Sequence, residues 1–111
     1  MATKIRFEHE GKEYTLEYTR RTVRYMEDKG FVASRLFDAP MTMLPDLFAG
    51  AFQANHRFLD RKVIDGLYDK FKNKKALLST LTKMYNEPIE ALLADDREED
   101  EGNMIAWEET N

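Results

Sequence analysis

Residues 4–18 read KIRFEHEGKEYTLEY, and the alternation of residue types along this stretch decides how the chain begins to fold. Ile5, Phe7 and His9 alternate with Lys4, Arg6 and Glu8, a period of two that fits a strand with one face buried and one in water. Tyr14, Leu16 and Tyr18 repeat the pattern against Thr15 and Glu17. Between the two runs stands Glu10-Gly11, and Gly11 supplies the positive φ that a tight hairpin turn needs. Two strands alone are marginal in water, so the segments that follow must cover the apolar face.

Those segments carry helical spacing. Thr19 reads as an N-cap, Val23 and Met26 share one face, and Gly30 terminates a short first helix whose Arg20, Arg21 and Arg24 lie off the apolar stripe. Residues 31–41 read as a loop with Phe31, Leu36 and Phe37 as apolar anchors and Asp38-Ala39-Pro40 as punctuation. Leu44, Leu47, Phe48, Ala51 and Phe52 then form a full apolar stripe, with Thr42 as its expected cap and Pro45 acceptable only in the first turn. Gly50 inside that helix costs about 1 kcal/mol against Ala, and close packing against a neighbour is the expected reason for it. Phe58 and Leu59 continue the hydrophobic content. Val63, Ile64, Leu67, Tyr68 and Phe71 make the next stripe. Asn73 is placed to cap a helix bearing Leu77, Leu78, Leu81, Met84 and Tyr85; Asn86-Glu87-Pro88 is expected to redirect the chain before a short final turn with Ile89, Leu92 and Leu93. The expected fold is α+β: an N-terminal β-hairpin followed by a bundle of four or five helices.

Charge divides the chain near Asp95. Residues 95–111 hold eight acids and only Arg97 as a base, a net of −7, while residues 1–94 hold 16 bases and 13 acids, a net of +3. The reading is therefore a folded domain over residues 1–94 and a disordered acidic tail over residues 95–111, since a block of like charge repels itself and solvates well. With 111 residues and no Cys, disulfide scaffolds, thiol nucleophiles and Cys-type zinc sites are excluded. No apolar run approaches the roughly 18 residues of a membrane span, and the polar N-terminus does not resemble a signal peptide, so a soluble intracellular protein is expected.

Residues that carry chemistry are sparse. Ser34 and Ser79 lie in no recognisable nucleophile turn, and His9 and His56 are far apart. His56 and Asp60, at i and i+4, read as a solvated helix contact. Glu8, Glu10 and Glu13 flank a hairpin turn as ordinary solvated acids. No glycine-rich phosphate cradle occurs, and the acidic tail lacks the spacing of a calcium loop. No enzymatic activity, metal or cofactor is expected. Lys70, Lys72, Lys74 and Lys75, with the arginines of the first helix, form basic patches of the kind that contact phosphates, but the acidic tail outweighs them.

Binding is the better reading. Met104, Ile105 and Trp107 form an apolar cluster inside the acidic tail, and such segments fold into a partner's groove unless they tuck back onto their own body. Phe48 and Phe52 offer a second candidate surface if part of their stripe stays exposed, and Met41 and Met43 at its start suit an adaptable contact. The outer edge of the lone hairpin is a place where a second copy of the chain can pair.

Three segments carry a resemblance to a known family. KIRFEHEGKEYTLEYTRRTVRYME, PMTMLPDLFAGAFQANHR and KVIDGLYDKFKNKKALLSTLTKMYNEPIEAL, followed by an acidic end, are similar to the small tail assembly chaperones of long-tailed bacteriophages, across essentially the whole chain. The resemblance implies a non-enzymatic protein of the host bacterial cytoplasm, absent from the finished virion, that coats the tape-measure protein and recruits tail tube subunits to it. The alternatives are a structural head-tail or tail component of the particle, and a small DNA-binding phage regulator.

Overall fold

The hairpin forms where the alternation places it. In the computed structural model, which describes residues 2–94 and 105–110, strands β1 (Ile5–His9) and β2 (Lys12–Leu16) pair antiparallel, with Ile5 opposite Leu16 and Phe7 opposite Tyr14. Glu10 (φ 52°) and Gly11 (φ 79°) both adopt left-handed backbone, as a two-residue type I′ turn requires to match the twist of its strands.

Five helices follow: α1 (Arg20–Asp28), α2 (Pro40–Gly50), α3 (Gln53–His56), α4 (Arg61–Lys70) and α5 (Lys74–Leu93), with a single 3₁₀ turn (Ala33–Arg35) before α2. The architecture is thus the expected α+β one. The expectations for residues 95–104 and 111, including the division near Asp95, lie outside the described residues. Residues 105–110 carry no regular secondary structure.

Helix α1 is bounded at both ends by local chemistry. The Thr19 hydroxyl accepts from Thr22 N–H (3.1 Å) and the Thr22 hydroxyl accepts from Thr19 N–H (2.8 Å), a reciprocal capping box. At the other end Gly30 turns left-handed at φ 99°; its N–H donates to Glu27 C=O and Phe31 N–H to Met26 C=O, the Schellman pattern. That closure folds Phe31 back beside Met26, and both are buried.

The apolar stripes converge on one core. Leu16, Leu47, Phe48, Ala51, Phe52 and Leu81 have no exposed surface at all. Phe7 stacks on Tyr14 (4.9 Å between centroids) and meets Phe71 edge-on (4.9 Å), while Phe48 meets Phe52, Tyr68 and Phe71 at 5.1, 5.1 and 5.4 Å. These edge-to-face pairs tie the hairpin to α2 and α4 and add about 0.5–1.5 kcal/mol each beyond burial.

Several local expectations are corrected. Helix α2 starts at Pro40, with Ala39 and not Thr42 at its N-cap, and Pro45 lies in its interior, not its first turn. The carbonyl that Pro45 leaves without a donor belongs to Met41, in an exposed first turn where water can serve instead. Asn86-Glu87-Pro88 does not redirect the chain, because α5 continues through it to Leu93. The Thr3 N–H (2.9 Å) and hydroxyl (2.7 Å) both donate to the Glu87 carboxylate, and Ile89, directly after the proline, packs on the core, so tertiary contacts hold the helix through its proline. Phe37 is not an anchor, and Phe58 does not continue the core: they are 86% and 88% exposed.

Gly50 has the packing reason expected of it. A Cβ at this position would fall inside the van der Waals envelope of the Met26 thioether, with Cγ at 3.0 Å. Gly50→Ala is therefore expected to destabilise the fold by about 1–2 kcal/mol through overpacking. In a Met26→Ala background the same change should be neutral or stabilising, as helix propensity regains control. A double-mutant cycle by urea unfolding measures this reversal.

Candidate interaction surface

The turn from α2 into α3 positions the first polar cluster. At the end of α2 the N–H groups of Ala51 and Phe52 bond back three residues, to Phe48 and Ala49. That tightening releases the Leu47 carbonyl, which accepts from the buried Tyr18 hydroxyl, and presents the Ala51 carbonyl to Glu17 N–H (3.0 Å). Burial, with Tyr85 beside it, pushes the Tyr18 phenol well above its ordinary range, so it remains a donor.

Helix α3 completes this edge. His56 Nε2 accepts from Thr15 N–H (3.1 Å), and Asn55 Nδ2 donates to Thr15 C=O (3.2 Å) and to the Glu17 carboxylate (2.8 Å). His56 thus pairs with the strand; its relation to Asp60 is not a shared helix face, because Asp60 caps α4 through Lys62 N–H (3.1 Å). An Nε2 that accepts must be unprotonated. Burial first, then the Lys12 charge, holds the imidazole pKa below its ordinary 6.5. Lys74 also has a structural task, donating to the Asp69 and Phe71 carbonyls at the end of α4 (3.2 and 3.0 Å).

The residues proposed for partner contact divide sharply. Phe48 and Phe52 are core, with no exposed surface, which corrects the reading of their stripe as a binding face. Ile105 (89% exposed) and Trp107 (85%) stand open on the C-terminal segment, and Met104 lies outside the described residues. Met41, expected to suit an adaptable contact, is exposed, and so are Leu92 and Leu93, expected in the short final turn. Leu92 and Leu93 are adjacent on the last turn of α5, beyond the reach of the core; the adjacency itself is the sequence signal.

Leu92 also closes a groove of about 650 Å³ along the α1–α5 seam. Val23, Pro88, Ile89 and Leu92 line it, and Arg20, Arg21 and Arg24 stand along its α1 side with Glu27. An apolar lining beside cations fits a helix or extended segment that presents apolar and acidic side chains together. Among the described residues no three His, Asp or Glu side chains gather as a metal site, and no helix is long and apolar enough to cross a membrane.

The sequence profile of a family described as Domain of unknown function (DUF5055) matches residues 1–109, and the chain belongs to that family. Neither the curated proteins nor the solved structures gave a match.

The two depressed pKa values give stability a defined acid dependence. The unfolded chain protonates His56 more readily than the folded one, so its contribution is complete above about pH 6.5 and is lost as pH falls below that value. Glu87, held below its ordinary 4.5 by the Thr3 hydroxyl and N–H, adds a second loss below about pH 4.5. His56→Gln keeps an acceptor for Thr15 N–H and is expected to abolish the upper step alone, which chemical unfolding at a series of pH values would show.

Proposed function

We propose that this DUF5055 member is a non-enzymatic tail assembly chaperone of a long-tailed bacteriophage. It binds the tape-measure protein in the host cytoplasm, helps recruit tail tube subunits to it, and leaves before the virion is complete. The observation that carries the reading is the exposure of Ile105 and Trp107 in an acidic segment beside a domain whose own core is already filled. A tryptophan held in water costs solubility, and a partner's apolar surface is what removes that cost. The resemblance of the three quoted segments to phage tail chaperones supplies the identity of that partner.

The mechanism follows from the chemistry of such a client. Before assembly a tape-measure protein exposes long apolar helical stripes. Trp107 and Ile105 cover part of a stripe, the surrounding acids keep the complex soluble, and the α1–α5 groove takes a second contact on the folded domain. Tail tube subunits displace these contacts as they polymerise. Many modest contacts suit such displacement better than one tight one.

Co-expression with the tape-measure protein of the same phage tests the reading. The full chain is expected to hold the tape-measure protein in the soluble fraction and to co-elute with it. Ile105→Ala combined with Trp107→Ala should weaken the complex about tenfold or more without changing the melting of the chaperone itself. If a soluble tape-measure protein fails to bind the intact chain, the reading is wrong. Recovery of the chain from purified virions by mass spectrometry would favour a structural component instead.

A second reading draws on a different groove, of about 740 Å³, lined by Lys12, Arg21, His56 and Arg57 with no acid among its residues. It suits a phosphate backbone, and binding to duplex DNA with a steep dependence on salt concentration would support a DNA-binding regulator.

A further inference from the structure

The two edges of the hairpin are treated differently. The outer edge of β2 is closed along its second half, since the Thr15 N–H and C=O and the Glu17 N–H bond to His56, Asn55 and Ala51, which leaves only Glu13 near the turn open on that side. Thr15 faces Arg6 across the sheet and Glu13 faces Glu8, so the backbone groups of Arg6 and Glu8 point away from β2 in the same alternation. Among the described residues nothing bonds to them. A five-residue strand with an open edge is a template for another strand.

The side chains on this edge are self-complementary about Phe7. Arg6 is basic on one side and Glu8 acidic on the other, and both are exposed, whereas Lys4 already meets Glu17 (3.8 Å) and Glu10 belongs to the turn. Arg6 makes no ion pair among the described residues, and Glu8 stands directly opposite Glu13, an unfavourable like-charge pair.

We propose that β1 pairs antiparallel with β1 of a second copy of this chain, about a twofold axis through Phe7, to make a continuous four-stranded sheet. In this register Arg6 and Glu8 of the partner subunit exchange both backbone hydrogen bonds, and their side chains form an ion pair on the exposed face. Ile5 falls opposite His9 of the partner subunit. Phe7 meets Phe7 of the partner subunit at a non-hydrogen-bonded position, where side chains approach most closely. The charges also select the register. Sliding the strands by two residues sets Arg6 against Arg6 in one direction and Glu8 against Glu8 in the other. Four strands reach the size at which a sheet is independently stable, which two strands do not.

The proposal is independent of the chaperone reading, and the oligomeric state of the full chain in solution tests it. Sedimentation or light scattering over a concentration series should resolve a species of twice 13.1 kDa. Arg6→Glu and Glu8→Arg, each alone, should weaken that species about tenfold or more and leave the circular dichroism of the fold intact. An equimolar mixture of the two variants restores opposite charges at both positions and should form the dimer again. Arg6→Pro removes an outward N–H that the monomer does not use, so it should remain folded and be monomeric. A wild-type chain that stays monomeric at every concentration overturns the proposal, as does a dimer indifferent to Arg6→Glu or a charge-swapped mixture that remains monomeric.

Discussion

The hydrogen bonds between the outer edge of β2 and the α2–α3 turn are the constraint on which the rest of the structure depends. A hairpin of two short strands has an apolar face to hide and two rows of backbone groups to satisfy. Here one device covers much of the face and satisfies most of the row on the β2 side. When α2 tightens in its last turn, the carbonyls of Leu47 and, just past its end, Ala51 become acceptors for Tyr18 and Glu17, and the same turn delivers Phe52 to Phe7 and Tyr14 on the hairpin's apolar face. His56 and Asn55 then close the strand's edge from the start of the next segment. The approach of α1 to this junction is possible only because Gly50 leaves room for Met26. Loss of any one of these contacts would expose others.

What was legible in the sequence was what local chemistry determines. The hairpin, its turn at Gly11, the Thr19 cap and the Gly30 terminator all depend on neighbours within a few residues, and the structure has them in place. The prolines are illegible locally for the opposite reason. Pro45 and Pro88 break helices locally, yet Pro45 spoils only an exposed first-turn carbonyl, and the Thr3–Glu87 clamp, from the far end of the chain, holds α5 through Pro88. No window of sequence around Pro88 contains Thr3. His56 was misassigned in the same way, since its partner Thr15 lies on the hairpin and not on its own helix.

The surface was less legible than the core. Phe48 and Phe52 belong to a strong stripe, and a strong stripe is what a core is made from; its use as a binding face would have needed a second surface to replace it. Ile105 and Trp107 stood out because their acidic surroundings offer no stripe to join. The α1–α5 groove could not be read from periodicity at all: it arises where two helices distant in sequence leave an unfilled seam, and its arginines read in the sequence only as a basic patch off the apolar stripe.

The placement of the methionines has a chemical consequence. Met26, Met43 and Met84 are buried with less than a tenth of their surface exposed, whereas Met41 is 89% exposed, one turn before Pro45 and close in sequence to Phe37. Oxidants acting on the folded chain will therefore convert Met41 to its sulfoxide well before those three. The Met26 thioether is buried against Gly50, so its oxidation accelerates only when the fold opens. Among these four side chains, the sulfoxide pattern is a chemical record of whether the α1–α2 contact has opened.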